Sequence, residues 1–171
     1  KINATLIANP PDIDDSKFDR VVTYLRTLAP PAQRNANDPS VKRGNILFHK
    51  IGCANCHTPS LRTGSDAAID ELKNQSIKPY TDLLLHDMGE DLADGIQDSL
   101  ASGSEWRTPP LWGIGLTKTV NGNTFFLHDG RARSIEEAIL WHGGEGSESR
   151  KNYSSLSLDD KVDLLNFINS L

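Results

Sequence analysis

The stretch Cys53-Ala54-Asn55-Cys56-His57 determines how the rest of this chain is interpreted. In a C-x-x-C-H pentapeptide the two thiols can add to the vinyl groups of a haem, and the adjacent histidine supplies an axial nitrogen to the iron. A structural zinc site would need two further ligands, which only scattered histidines could supply, because the 171 residues contain no other cysteine. A thioredoxin-like pair needs a βαβ context that the hydrophobic pattern lacks, and a plain disulfide leaves His57 unexplained. The motif therefore predicts one covalent c-type haem with His57 as its proximal ligand.

The composition is consistent with one domain of modest apolar content. Only 37% of the residues are hydrophobic, so a haem would add apolar bulk to the core. The formal net charge of −5 argues against nucleic acid as a partner. No run of about 18 apolar residues occurs, and no membrane span is expected. Because covalent haem attachment takes place outside the cytoplasm in most bacteria, we expect a periplasmic protein and an upstream portion before this segment.

Helical periodicity dominates the pattern, and no convincing strand pairs are found. The predicted helices lie at 14–29, at 40–51 with Ser40 as N-cap and Gly52 as terminator, at 134–142 with a Ser134–Glu137 capping box, and from Ser157 to the end. The intervening segments, 60–80 and 90–123, are polar or rich in Gly, Ser and Pro, which favours loops. We therefore expect an all-α fold with long irregular loops around the haem. Residues 1–35 are interpreted as the tail of an upstream haem module or a linker helix, and residues 36–171 as the haem domain.

The sixth iron position has two main candidates. Met88 is the only methionine of the chain, and a thioether opposite His57 would raise the reduction potential, although a lone methionine also fills core gaps. His142 lies on the apolar stripe of a capped helix, where a histidine is either hydrogen-bonded within the core or bound to a metal. The residues alone leave both open.

The other three histidines are weaker candidates. His86 and His128 occur in similar segments, His-Asp-Met-Gly and His-Asp-Gly-Arg, in which the aspartate can accept hydrogen bonds from a turn that the glycine permits. Both are expected at the haem edge. His49 lies within the helix before the attachment motif and is expected at the surface.

The haem propionates call for cationic partners, because guanidinium groups pair with carboxylates in a bidentate way. Arg107 and Arg131 lie beside Trp106 and His128 in segments expected to wrap the cofactor. These four residues complete the predicted cofactor-binding set of Cys53, Cys56, His57, Met88 and His142. Solvated surface arginine is the ordinary alternative.

Six stretches together resemble a known family. They are YLRTLAPP at 24–31, GCANCHTP at 52–59, YTDLLLHDMG at 80–89, EWRTPPLWG at 105–113, LHDGRA at 127–132 and EEAILWHGGE at 136–145. From Asp12 to Leu171 the chain resembles the C-terminal haem domain of the di-haem oxidoreductases described as thiol oxidoreductases. These are relatives of the bacterial di-haem cytochrome c peroxidases and of the MauG-type enzymes.

The resemblance implies a cytochrome c-like domain from a periplasmic protein with two haem domains. In the related peroxidases the N-terminal haem activates peroxide, and a six-coordinate C-terminal haem passes electrons to it. Their distal ligand corresponds in position to His142, where they carry methionine, so the resemblance favours a bis-histidine haem with His57 and His142 as iron ligands. Those relatives also bind calcium between their domains, near the region of Thr108 and Pro110 in this sequence.

Three functions follow as hypotheses. The leading one is an electron-transfer domain whose partners are the N-terminal haem domain of the same parent protein and a small redox protein or quinone-linked donor. By itself, this segment is not expected to be catalytic. The alternative is peroxide reduction or thiol oxidation at this haem, which would require an open sixth position and a nearby acid–base group such as Glu145. The third, a free-standing mono-haem shuttle, conflicts with the leading segment 1–39.

Overall fold

The computed structural model describes residues 12–171, which fall into two compact units that meet in sequence at Pro30 and Pro31. The elements are α1 (Asp15–Thr27), α2 (Pro39–Lys50), β1 (Leu61–Arg62), β2 (Ser76–Ile77), β3 (Leu85–Asp87), β4 (Glu105–Arg107), α3 (Thr117–Asn121), α4 (Ile135–Trp141), α5 (Ser147–Ser154) and α6 (Leu158–Ser170). Short 3-10 turns separate several of them, including one at Cys53–Asn55. Among these residues, no helix combines the length and apolar character needed to cross a bilayer.

The predicted all-α class is wrong, because the fold is mixed. It is 46% helical and contains two antiparallel two-stranded sheets. β1 pairs with β2, and β3 pairs with β4 with His86 opposite Trp106. Strands of two or three residues carry too little alternation to be recognised. They form here because loop segments pair residues that are 14 to 22 positions apart in sequence.

The first unit contains α1, whose start at Asp14 agrees with the predicted range. The Asp14 carboxylate accepts a hydrogen bond from the Lys17 amide at 2.9 Å. None of the α1 residues is buried, and Phe18 and Tyr24 are more than half exposed. The helix therefore presents an apolar face without forming a core of its own. Residues 1–11 of the predicted 1–35 segment lie outside the described residues.

The core of the second unit lies between α2 and α6. Phe48 and Phe167 contact each other edge to face at 5.3 Å between ring centroids, and Tyr80 lies 5.9 Å from each of them. Gly44 makes the close helix approach possible, since a Cβ there would lie 2.0 Å from the Asp163 carbonyl oxygen. This packing fixes the end of α2, from which the chain enters the attachment motif.

The N-terminal ends of three helices test the predicted caps. Ser134 and Ser157 accept hydrogen bonds from the amides of Glu137 and Asp160, as the sequence predicted. The predicted Ser40 cap is wrong: Asp38 caps α2, and Pro39 occupies the first helical position, where its missing N–H costs nothing. The hydroxyl of Ser40 instead bonds the carboxylate of Asp163 on α6.

Asp163 joins α2 to α6, and its replacement by asparagine is expected to lower stability at pH 7 by roughly 1 kcal/mol, because Arg43 is 59% exposed and solvent screens the pair. The hydrogen bond from Arg43 holds the pKa of Asp163 below its usual 3.8. The carboxylate therefore contributes fully above about pH 4, and its contribution declines as pH falls through the lower folded-state pKa. Urea unfolding of wild type and D163N at pH 7 and pH 3 measures this, with D66N at an exposed loop position as the control. A stability difference that grew on acidification would contradict the assignment.

Candidate haem site

The attachment motif begins directly at the end of α2. Gly52 adopts a left-handed conformation with φ of 95°, which reverses the chain into the 3-10 turn at Cys53–Asn55. Cys53 and Cys56 are both partly buried. Burial raises the pKa of Cys53 to about 12, and burial together with the nearby carboxylates of Asp82 and Glu145 raises the pKa of Cys56. Both thiols are therefore protonated at neutral pH when no metal is bound to them.

His57 is oriented by a backbone carbonyl from a distant segment. Its Nδ1 lies 3.1 Å from the carbonyl oxygen of Tyr80, and since a carbonyl only accepts, Nδ1–H donates. Tyr80 is buried and left-handed, with φ of 54°, a conformation that costs about 1 kcal/mol or more in a non-glycine residue. Burial lowers the pKa of His57 to about 4. The imidazole is neutral, and its Nε2 lone pair is the one available to a metal.

His142 has the same arrangement at the end of α4. It is the C-cap residue of that helix, and its Nδ1 donates to the carbonyl of Ala138 at 2.7 Å. Burial lowers its pKa, and the positive charge of Arg150 lowers it further. His142 is thus a second neutral imidazole with Nε2 left for a metal.

The two imidazole rings lie close together. Their ring centroids are 6.5 Å apart and their planes differ by 50°. A metal–nitrogen bond of about 2.0 Å, with about 1.2 Å more to the ring centre, places two imidazoles on opposite sides of one metal about 6.4 Å apart. This donor set fits a haem iron, which His57 and His142 would hold from its two sides, and Cys53 and Cys56 precede His57 in the motif.

The sequence was compared with models of known protein families. The sequence profile of the family described as "Di-haem oxidoreductase, putative peroxidase" matches residues 7–171. The chain belongs to this family.

One solved structure is similar to this di-haem oxidoreductase chain, that of hydrazine synthase from Kuenenia stuttgartiensis pressurised with xenon. The two share 20% sequence identity with a TM-score of 0.56, over 93% of this chain and 56% of that one. At this identity the likeness concerns the fold alone. No curated protein matches the sequence.

Met88, the alternative sixth ligand, lies beside His142. A Cβ added at Gly146 would lie 3.3 Å from the Met88 methyl carbon and 3.2 Å from Cδ2 of His142. Both side chains therefore lie against the same glycine. The centre of the His142 ring lies 6.5 Å from that of His57.

Three of the predicted cofactor-binding residues, Trp106, His128 and Arg131, take part in two stacking contacts. Trp106 stacks on His128 with a centroid distance of 3.5 Å and an angle of 11°, and its Nε1–H donates to the Leu92 carbonyl. The Arg131 guanidinium lies 4.8 Å from the centre of the Trp141 ring.

The two arginines predicted to bind the haem propionates, Arg107 and Arg131, differ in their surroundings. Arg131 is bonded to the Asp129 carboxylate at 2.6 Å and to the Asp91 carbonyl. Arg107 is exposed and pairs across the sheet with Leu85. Arg131 is therefore already compensated by a carboxylate of the chain, while the propionate role of both arginines stays a prediction.

The calcium prediction concerns Thr108 and Pro110. Thr108 is buried, and its carbonyl accepts the hydroxyl of Thr81 at 2.7 Å. Among residues 12–171, the group of side chains close enough to share a metal ion is Cys56, Asp82 and His86. Calcium binding stays a prediction.

Sequence reasoning missed several residues that shape the site. The carbonyl that accepts the Nδ1 hydrogen of His57 belongs to Tyr80, 23 residues further along the chain. Backbone groups leave no mark in a sequence, so this contact has no local signal. Arg150 was also missed, because α5 contains a single buried residue, Tyr153, and no apolar stripe to reveal a helix.

Proposed function

We propose that this di-haem oxidoreductase domain is a c-type haem electron-transfer module, the C-terminal half of a periplasmic protein. Its haem is held covalently by Cys53 and Cys56 and axially by His57 and His142. Its electron-transfer partner is the N-terminal haem domain of the same parent protein. A small redox protein or a quinone-linked donor supplies electrons from outside.

The observation that carries this proposal is the close pair of neutral imidazoles. His57 and His142 come from different elements, 85 positions apart, yet their rings lie at the separation that one shared metal ion requires. Each donates its Nδ1 hydrogen to a backbone carbonyl, which fixes the tautomer with Nε2 unprotonated. Two histidines with the same tautomer and neighbouring rings support axial ligation on both sides.

The chain's own residues also support a one-electron role. A haem held here supplies a ferric–ferrous couple. The carbonyls of Tyr80 and Ala138 are backbone groups within a packed fold, and they keep both imidazoles in place when the charge at the metal changes. Little reorganisation of ligands is what rapid electron transfer needs.

Peroxide or thiol chemistry at this haem has weaker support. It requires a labile sixth position and an acid–base residue near it. The ring of His142 lies close to that of His57, and the Glu145 carboxylate is engaged by His86 at 2.9 Å and by the Asp87 amide at 3.0 Å. These contacts favour electron transfer over catalysis in this domain.

Spectroscopy of the haem-loaded protein tests the proposal. The ferric protein is expected to give a low-spin EPR signal, and near-infrared magnetic circular dichroism is expected to show a bis-histidine charge-transfer band. A denaturing gel stained for haem should retain the colour, since thioether bonds survive denaturation. A methionine–iron band or a high-spin signal in the wild type would contradict the bis-histidine assignment.

A further inference from the structure

We propose that His86 is a positioning residue that clamps the segment after His142 to the segment beside His57, and so holds the two axial ligands opposite each other. This inference rests on the proposed function. The function described above gives no role to the His-Asp-Met-Gly stretch in which His86 lies.

Both ring nitrogens of His86 are bonded to carboxylates. Nε2 lies 2.8 Å from Asp82 and Nδ1 lies 2.9 Å from Glu145. Carboxylates accept hydrogen bonds, so the ring donates from both nitrogens and is an imidazolium between two anions. The side chains of His86 and Asp82 are only 16% and 14% exposed, which shields their bond from solvent, whereas the Glu145 side chain is 56% exposed.

Asp82 belongs to the proximal side of the site. Its amide donates to the Cys56 carbonyl at 2.9 Å, and the neighbouring Thr81 amide donates to the Thr58 carbonyl at 3.0 Å. Tyr80, which orients His57, is two residues before Asp82. The segment 80–82 therefore bonds to the residues just before and just after His57. From this segment the Asp82 carboxylate accepts a hydrogen bond from His86.

Glu145 belongs to the distal side. It follows His142 by three residues, and its second carboxylate oxygen accepts the Asp87 amide at 3.0 Å. The intervening glycines pack tightly on the strand segment that bears His86. Cβ atoms at Gly143 and Gly144 would lie 2.6 Å from the Met88 carbonyl and 2.1 Å from the Asp87 carbonyl. The distal segment is therefore held against β3 by backbone contact, and the His86 bridge fastens it to the proximal side.

Among the contacts described here, the bridge formed by Asp82, His86 and Glu145 is the side-chain link between the two ligand-bearing segments. Loss of the bridge should leave both imidazoles in place but less firmly held. The consequence appears in the rate at which His142 leaves the iron, since an external ligand binds only after it has left.

The test is the rate of cyanide binding to the ferric haem protein, compared between wild type, H86F, E145A and the double variant. Phenylalanine keeps the ring and removes both bonds. Each single variant is expected to accelerate binding roughly five- to tenfold, the effect of one charge-assisted hydrogen bond partly exposed to solvent. The double variant should be no faster than the faster single one, because both changes open the same bridge. H49Q, a change at an exposed position of α2, should bind cyanide at the wild-type rate.

Three outcomes decide the matter. Non-additive acceleration with a retained low-spin resting spectrum supports the clamp. A wild-type bis-histidine spectrum with unchanged rates in H86F and E145A overturns the clamp and leaves the proposed function intact. A wild-type spectrum without bis-histidine ligation overturns both. E145Q, which keeps a neutral acceptor at an exposed position, gives an intermediate rate if the bridge matters and remains informative should H86F fold poorly.

Discussion

Replacing His142 with alanine is expected to convert the ferric haem protein from low spin to high spin. The ring of this side chain lies close to that of His57 with a free Nε2, and alanine cannot supply an axial nitrogen. With a weak ligand or none at the sixth position the iron becomes high-spin and open to external ligands. Optical spectra and EPR measure the change, and added imidazole should restore the low-spin state by occupying the vacated space.

The substitution H142M tests the same ligand through the reduction potential of the haem. A thioether in place of an imidazole stabilises the ferrous state, so the midpoint potential should rise by on the order of 100 mV, a fraction of the about 0.8 V that axial ligands span. Potentiometric titration of wild type and H142M measures the difference.

M88L serves as the matched control for both changes. The Met88 methyl group packs on Gly146 beside His142, and leucine replaces it with a side chain of similar volume. M88L should remain low-spin with a near-normal potential. A high-spin M88L together with a low-spin H142A would assign the sixth position to Met88 and contradict our reading.

A sequence reveals those parts of the site that depend on side chains close together along the chain. The pentapeptide at 53–57 predicted haem attachment, which stays a prediction, and the chain forms a 3-10 turn there. Ser134 predicted the start of the helix that His142 caps, because a cap and its partner are only three residues apart. His142 was expected on the apolar stripe within that helix and instead caps its end, where the backbone turns away. The family assignment over 7–171 agrees with the resemblance drawn from the motifs.

What the sequence could not show depends on contacts between distant segments. The strands were missed for this reason, because β3 and β4 have three residues each and are separated by 17 residues in sequence. The bond between His57 and Tyr80 spans 23 residues and uses a left-handed backbone at a residue type that seldom adopts it. The bridge from His86 to Glu145 spans 59 residues. Local periodicity carries no information about such pairs.

Gly44 is a position where one added methyl group should lower stability substantially. It lies in the middle of α2, where alanine would normally be favoured over glycine by about 1 kcal/mol. Here an added Cβ would lie 2.0 Å from the Asp163 carbonyl oxygen and 2.6 Å from the Phe167 Cβ. Both atoms belong to the frame of α6, so a side-chain rotation cannot relieve the clash.

G44A must therefore separate the two helices and loosen the contact between Phe48 and Phe167. Overpacking of this kind costs about 1–3 kcal/mol, and a clash with backbone places G44A at the upper end, or roughly 2 kcal/mol net after the gain in helix propensity. Urea unfolding followed by circular dichroism and by the haem absorption measures the loss. Because α2 leads directly into Gly52 and Cys53, the haem signal should be lost in the same transition.

The control for G44A is G122A. Gly122 has no atom within 4 Å of an added Cβ, so its only cost is the left-handed backbone with φ of 74°, about 1–2 kcal/mol. This strain is confined to the C-cap of the short helix α3, and the haem spectrum of G122A should be that of the wild type. G44A should instead shift the haem absorption along with stability, because α2 positions the attachment turn. A G44A protein that was more stable than wild type, as helix propensity alone would make it, would show that α2 and α6 do not approach as closely as described.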